Sequence, residues 1–155
     1  MSANGYDKAA ANELINAHGA RPELLVQLLH DFVARFGYIS DDAIRQIAEE
    51  LNISRADVHG VVSYYHDFRT EPAGKHIVKI CQAEACQAMG ARSLTQHATT
   101  VTGAALHETR NDVTLEPVYC LGNCACAPAV MFGDKTYGRV SKDRFDELLR
   151  QETGK

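Results

Sequence analysis

Five cysteines are the residues of this 155-residue chain with the most chemistry to offer. Cys81 and Cys86 lie in "KICQAEACQAMG", and Cys120, Cys124 and Cys126 lie in "YCLGNCACAPAV". Thiolates can ligate soft metals, exchange disulfides or carry redox chemistry. An odd total fits poorly with a pure disulfide framework. Cys81 and Cys86 are spaced C-x4-C, Cys120 and Cys124 are spaced C-x3-C, and 33 residues separate the two pairs. Four thiolates are the usual complement of an iron–sulfur cluster or a structural zinc. Zinc sites made of two cysteine pairs favour C-x2-C knuckles, a spacing that neither pair has. The wider C-x4-C spacing occurs in plant-type [2Fe-2S] ferredoxins, where the loop wraps a cluster and does not pinch one ion. Spacing therefore favours iron–sulfur, with zinc, thiol redox chemistry and inert cysteines as the other readings.

The intervening residues suit a cluster. Gly122, inside the Cys120–Cys124 loop, can take a positive φ and turn backbone N–H groups toward the sulfurs. Ala83, Ala85, Ala125 and Ala127 are small enough for close packing and some access to a cluster edge. Pro128 ends the loop. Other groups are less suggestive. His59, Ser63 and His66 would share a helical face at i, i+4 and i+7, and a surface or partner-contact role is expected for them. Asp41/Asp42 and Glu49/Glu50 read as a solvated helix face, not as catalytic carboxylates. No G-x-G-x-x-G or P-loop is present, so nucleotide chemistry is assigned to a partner.

The elements that must position these residues fall into two halves with different periodicity. Up to about Phe68 the pattern is helical. A first helix is expected over Lys8–Ala17. "RPELLVQLLHDFVARFG" places Leu24, Leu25, Leu28, Leu29, Phe32, Val33 and Phe36 on one stripe, with Pro22 in the first turn and Gly37 as the stop. Ser40 caps "DDAIRQIAEELN", and Ser54 caps "RADVHGVVSYYHDF" with Asp57 as a partial capping box. Gly60 in that last helix costs about 1 kcal/mol relative to Ala, which predicts a close packing contact there. "RTEPAGK" reads as a linker. Beyond it, "HIVKIC" is a strand ending at Cys81, "MGARSLTQHATTV" a helix, and "DVTLEPVYC" a strand ending at Cys120. "AVMF", Gly133-Asp134 and "KTYGRV" form a hairpin, and Ser141 caps a final helix. The expected division is a helical unit over 1–70 and an α/β unit over 71–155. Strand–helix–strand–hairpin–helix in that second unit is compatible with a thioredoxin-like layer.

Composition narrows the function classes. Hydrophobic residues make up 45% and charged residues 23%, ordinary globular usage. A formal charge of -4 without a basic run argues against nucleic acid as a partner. "DDAIRQIAEELNISRADVHGVV" does resemble a DNA-binding helix-turn-helix, which would make the protein an iron–sulfur redox-sensing regulator. Its second helix, however, offers Arg55 as the only full positive charge before Arg69. No window suits a secretory signal or a membrane span, so a cytoplasmic protein without membrane insertion is expected, where clustered cysteines favour metal or redox roles.

A resemblance carries the reading further. "VHGVVSYYHDFRTEPAGKHIVKICQAEACQAMGA", "CLGNCACAP" and "GRVSKDRFDELL" together resemble the thioredoxin-like [2Fe-2S] ferredoxin family, over about Glu23–Leu149. That family includes the small iron–sulfur subunit of NADH:quinone oxidoreductase, its counterpart in bidirectional NAD-linked hydrogenases, and the gamma subunit of NAD-dependent molybdenum formate dehydrogenase. "AEACQAMGARSL" looks most like the formate dehydrogenase branch. The resemblance implies an α+β fold, a helical N-terminal bundle followed by a thioredoxin-like α/β domain. It places the ligands of one [2Fe-2S] cluster on Cys81, Cys86, Cys120 and Cys124, with Cys126 in the variable part of the motif. It further implies one-electron transfer with a partner subunit that binds FMN and NAD, alongside a larger molybdenum and iron–sulfur catalytic subunit, and no catalytic site on this chain. Because the helical unit holds no ligand, it is expected to help dock the partner.

Overall fold

The computed structural model describes residues 6–154, and the chain divides into two compact units, 1–72 and 73–155. The first is helical. Helix α1 (Lys8–Ala17) starts where Asp7 accepts the backbone N–H groups of Ala9 and Ala10 at 2.9 and 3.2 Å, relieving two of the orphan donors at a helix start. A 3-10 turn at Pro22–Leu24 leads into α2 (Leu25–Phe36), which stops at Gly37, a left-handed cap with φ of +81°. Ser40 caps α3 (Asp41–Glu50) by accepting from Ala43 N–H, and Asp41 and Asp42 complement the positive end of its dipole. Ser54 and Asp57 form a full reciprocal capping box on α4 (Arg55–Tyr64). The apolar stripes of these helices meet in one core containing Leu28, Leu29, Phe32, Ile44, Ile47 and Val58. Burying each such large side chain contributes about 1.5–3 kcal/mol relative to leaving it exposed. The buried Gln46 is satisfied by the Lys8 carbonyl, Asn12 and the Tyr6 hydroxyl.

Two expectations fail in this unit. Helix α4 ends at Tyr64 and does not continue to Phe68. Tyr65 turns extended, with φ of -92° and ψ of 117°, and the chain folds back so that Phe68 is buried against the edge of His30. Gly60 makes no close packing contact: it is exposed, and a Cβ built there would meet nothing within 4 Å.

The second unit is built on a five-stranded sheet in the order β2-β3-β1-β4-β5. Its strands are β1 (His76–Cys81), β2 (Thr109–Arg110), β3 (Val113–Val118), β4 (Val130–Phe132) and β5 (Lys135–Tyr137). The centre is parallel, β1 running beside β3 from His76–Val113 to Cys81–Val118, and the other pairings are antiparallel. Parallel neighbours need a crossover, supplied by the short α5 (Glu84–Ala88) and by α6 (Ala91–Thr102). Gly133 and Asp134 form the two-residue turn of the β4–β5 hairpin, with Gly133 at φ of +54°. Ser141 caps α7 (Lys142–Thr153). Val78, Ile80, Leu115, Val130 and Phe132 from the sheet pack with Leu94 and Ala98 of α6 and Phe145 and Leu148 of α7. Helices and sheet segregated in this way make the molecule α+β, as expected. Among the described residues no helix is long and apolar enough to cross a membrane.

Candidate metal centre

Sheet register sets the first thiol. Cys81 ends β1, where its N–H donates to the Ala129 carbonyl at 3.1 Å, and the next residue, Gln82, donates its N–H to the Val118 carbonyl at 2.8 Å. Three strand ends therefore converge beside Cys81. Cys86 lies inside α5, a single turn that the sequence pattern does not reveal. A side-chain relay braces this turn: Gln87 donates to Gln82 at 2.9 Å, and Gln82 donates to Thr95 of α6 at 2.9 Å. Cys81 and Cys86 are only 1% and 2% exposed. Burial pushes the Cys86 thiol up, and the nearby Cys81 and Cys124 sulfurs push it the same way, against an Ala129 N–H aimed at its sulfur.

The second pair is positioned by loop geometry. The sequence pattern predicts a strand ending at Cys120, but β3 stops at Val118 and Cys120 lies two residues beyond it. Its φ of +131° falls in a region that side chains rarely occupy, a strain of the kind that collects at functional sites. That turn brings the Cys120 sulfur to 3.6 Å from that of Cys124 and lets it accept the Gly122 N–H at 3.3 Å. Gly122 has φ of +71°, the conformation anticipated for it. The Gly122 N–H, with the Cys124 thiol, holds Cys120 below the usual thiol range, and Cys120 in turn pushes Cys124 up. Both sulfur-bearing residues of this pair are exposed. Cys124 opens a 3-10 turn, Cys124–Cys126, and Cys126 at its end is half-buried. Around the thiols, Ala83, Ala91, Ala127 and Ala129 pack with Val118 and Leu121, leaving room at the sulfurs where larger side chains would fill it.

The exposed pair has the spacing that a tetrahedral metal requires. A tetrahedral metal with thiolate bonds of about 2.3 Å spans two sulfurs about 3.8 Å apart, close to the 3.6 Å between Cys120 and Cys124. Cys81 lies near enough to Cys86 to raise its thiol. Among the described residues, no three Cys, His, Asp or Glu side chains converge on one point as a single-ion site requires. Cys124 interacts electrostatically with both Cys81 and Cys86, so the two pairs lie near one another.

The sequence pattern of the thioredoxin-like [2Fe-2S] ferredoxins matches residues 11–153. The chain belongs to that family. Its cofactor is accordingly a [2Fe-2S] cluster, and the protein is an iron–sulfur electron carrier. This ferredoxin is 39% identical over 115 residues to an NADH-quinone oxidoreductase subunit of Pseudomonas aeruginosa, covering 73% of this chain and 69% of that protein. It is 30% identical over 129 residues to the NADP-reducing hydrogenase subunit HndA of Solidesulfovibrio fructosivorans, covering 82% and 75%. An NAD+-reducing [NiFe]-hydrogenase in its air-oxidised state shares the fold, with a TM-score of 0.68 at 18% identity. That match covers 84% of this ferredoxin and 23% of the hydrogenase chain.

The remaining candidates do not assemble. His59 and Ser63 are exposed on α4, while His66 lies beyond the end of that helix, so the expected common face is not formed. Asp41, Asp42, Glu49 and Glu50 are exposed, with Asp42 paired to Arg45 at 3.2 Å. Gln82, Gln87 and Gly138 shape the site and were not anticipated. For the glutamines the signal was adjacency to Cys81 and Cys86. For Gly138 nothing local marked a role at the cysteines.

Proposed function

We propose that Cys81, Cys86, Cys120 and Cys124 ligate the [2Fe-2S] cluster, one pair on each side, and that the chain is the small electron-transfer subunit of an NAD-linked oxidoreductase. The observation that carries this reading is the arrangement of the thiols, two pairs with a 3.6 Å sulfur–sulfur edge in the exposed one. When bound, such a cluster accepts and releases one electron at a time. The chain's own residues supply the rest. Alanines keep the site small, the Gly122 N–H points at a sulfur, and the solvent-facing Cys120 and Cys124 offer a path to an electron partner. An FMN- and NAD-binding subunit is the proposed partner, because a flavin converts hydride chemistry into single-electron steps. The subunit names carried by the relatives, from quinone-linked and hydrogenase complexes, support a place in a complex of this type.

The finer proposal is the NAD-dependent formate dehydrogenase, with a molybdenum and iron–sulfur catalytic subunit. Its support is the segment "AEACQAMGARSL" following Cys81. The NADH:quinone oxidoreductase and the bidirectional hydrogenase are the alternatives, since both would share all four cysteines. A cytoplasmic location belongs to the proposal, supported by the use of the clustered cysteines as metal ligands, their usual role in a reducing compartment.

Iron and sulfide analysis with EPR of the dithionite-reduced protein tests the centre. About two irons and a rhombic S = 1/2 signal are expected; stoichiometric zinc would overturn it. Affinity purification of the tagged chain from its own cells tests the complex. Formate-dependent NAD+ reduction with molybdenum in the eluate is expected, and hydrogen- or quinone-linked activity instead would reassign it.

A further inference from the structure

We propose that Gly138 is a positioning residue for the Cys124 thiol, working by having no side chain. It follows β5 and lies directly on the turn that Cys124 opens. A Cβ at Gly138 would stand 2.6 Å from Cys126 Cβ, 2.7 Å from Asn123 Nδ2 and 2.8 Å from the Cys126 carbonyl oxygen. The amide end of Asn123 could swing aside, but the Cys126 Cβ and carbonyl belong to the turn itself. Any side chain therefore has to push the turn outward.

The same contact is a clamp. Arg139 donates its N–H to the Cys126 carbonyl at 2.6 Å, and Val140 donates its N–H to the Pro128 carbonyl at 3.1 Å. Within the turn, Cys126 N–H bonds the Asn123 carbonyl at 3.0 Å and Ala127 N–H bonds the Cys124 carbonyl at 3.3 Å. Arg139 reaches its position with φ of +52°, backbone that side chains rarely adopt. Strain is thus accepted at Arg139 to lay the segment flat on the turn. The exposed Cys120–Cys124 pair has no burial to hold it, so the clamp substitutes for a core.

A second glycine offers a control. Gly74 is as tightly placed, its added Cβ meeting the Asp112 carbonyl oxygen at 2.5 Å, but it sits by the Thr109 and Thr114 side chains at the end of the sheet away from Cys81. Gly74→Ala should cost stability without touching the thiols.

The inference rests on Cys124 being a ligand. Its test uses the full-length, cluster-loaded protein under anaerobic conditions and compares Gly138→Ala, Gly74→Ala, Cys126→Gly/Gly138→Ala and Cys124→Ser. Gly138→Ala is expected to shift the EPR g-values and to weaken iron retention against a chelator about 10-fold or more, the range for residues that orient metal ligands. Gly74→Ala is expected to lower the melting temperature with a wild-type EPR spectrum. The double variant, which removes the nearest contact, is expected to regain part of the retention. A wild-type spectrum and retention in Gly138→Ala would overturn the proposal. So would an identical spectral shift in Gly74→Ala, or unfolding of both Gly138 variants, which would make Gly138 a folding residue only. An intact cluster in Cys124→Ser would instead sink the ligand reading on which the inference stands.

Discussion

Cys81 and Cys86 are 1% and 2% exposed, held where β1 ends and inside a helical turn, whereas Cys120 and Cys124 are open to solvent on a loop. The buried pair is fixed by hydrogen bonds of the sheet and by packing, and neither residue has a positive φ. The exposed pair depends on backbone that most residues avoid, at Cys120 and Gly122, and on the segment after β5. Electrostatics add a second contrast: burial raises the Cys86 thiol, while in the exposed pair a backbone N–H lowers Cys120, which in turn raises Cys124. One half of the centre is therefore a product of the core, and the other is built by local chain geometry.

The largest effect should come from loosening the core beneath the buried pair. Ile80 is fully buried beside Cys81 and packs with the β-sheet and helix side chains of the second unit. Ile80→Ala should destabilise the iron-free protein by about 2–5 kcal/mol, read as a lower urea midpoint. A loss below about 1 kcal/mol would mean that Cys81 is not held by the core, and the contrast between the pairs would fail.

On the exposed side, substitutions should separate cluster binding from stability. Cys120→Ser is expected to lose or destabilise the cluster's visible absorption, and Cys126→Ser to keep it. Because both residues lie outside the fully buried core, the iron-free stability of each variant should stay within about 0.5 kcal/mol of the parent. Spectrophotometry of the purified variants decides the matter: reversed absorption results would exchange the roles of the two cysteines.

Much of this arrangement could be read from residue order, for reasons that differ by element. Helices α1 to α3 announce themselves because long apolar stripes and caps such as Ser40 and Gly37 are local signals. The β4–β5 hairpin does so through Gly133-Asp134. Helix α5 spans five residues and β2 two, both too short for a periodicity to show. The end of α4 at Tyr64 has no glycine or proline to mark it; it is set by the burial of Phe68, a tertiary demand. Gly60 misled for the converse reason, since a glycine in a helix does not reveal whether anything packs against it. At the site, the thiols and Gly122 could be singled out from spacing. The clamp by Gly138 could not, because its contact at Cys126 lies twelve positions earlier in the chain and is joined to it only through the hairpin.

Gly122 gives the finest probe of the loop-built half. No atom of the chain lies within 4 Å of a Cβ added there, so Gly122→Ala meets no steric obstacle from the protein itself. Within the chain its cost comes from φ of +71°, about 1–2 kcal/mol for an L-residue. The loop should relax by rotating that peptide, lengthening the N–H to Cys120 sulfur contact from 3.3 Å. An N–H directed at a sulfur favours the more negative, reduced centre, so weakening it should lower the reduction potential. A hydrogen bond worth about 1 kcal/mol corresponds to about 40 mV in a one-electron couple, and a drop on the order of tens of millivolts is expected in an EPR-monitored redox titration. An unchanged potential would show that the Gly122 N–H shapes the loop without tuning the centre. The exposed pair would then rely on backbone conformation alone, without electrostatic help from its own amides.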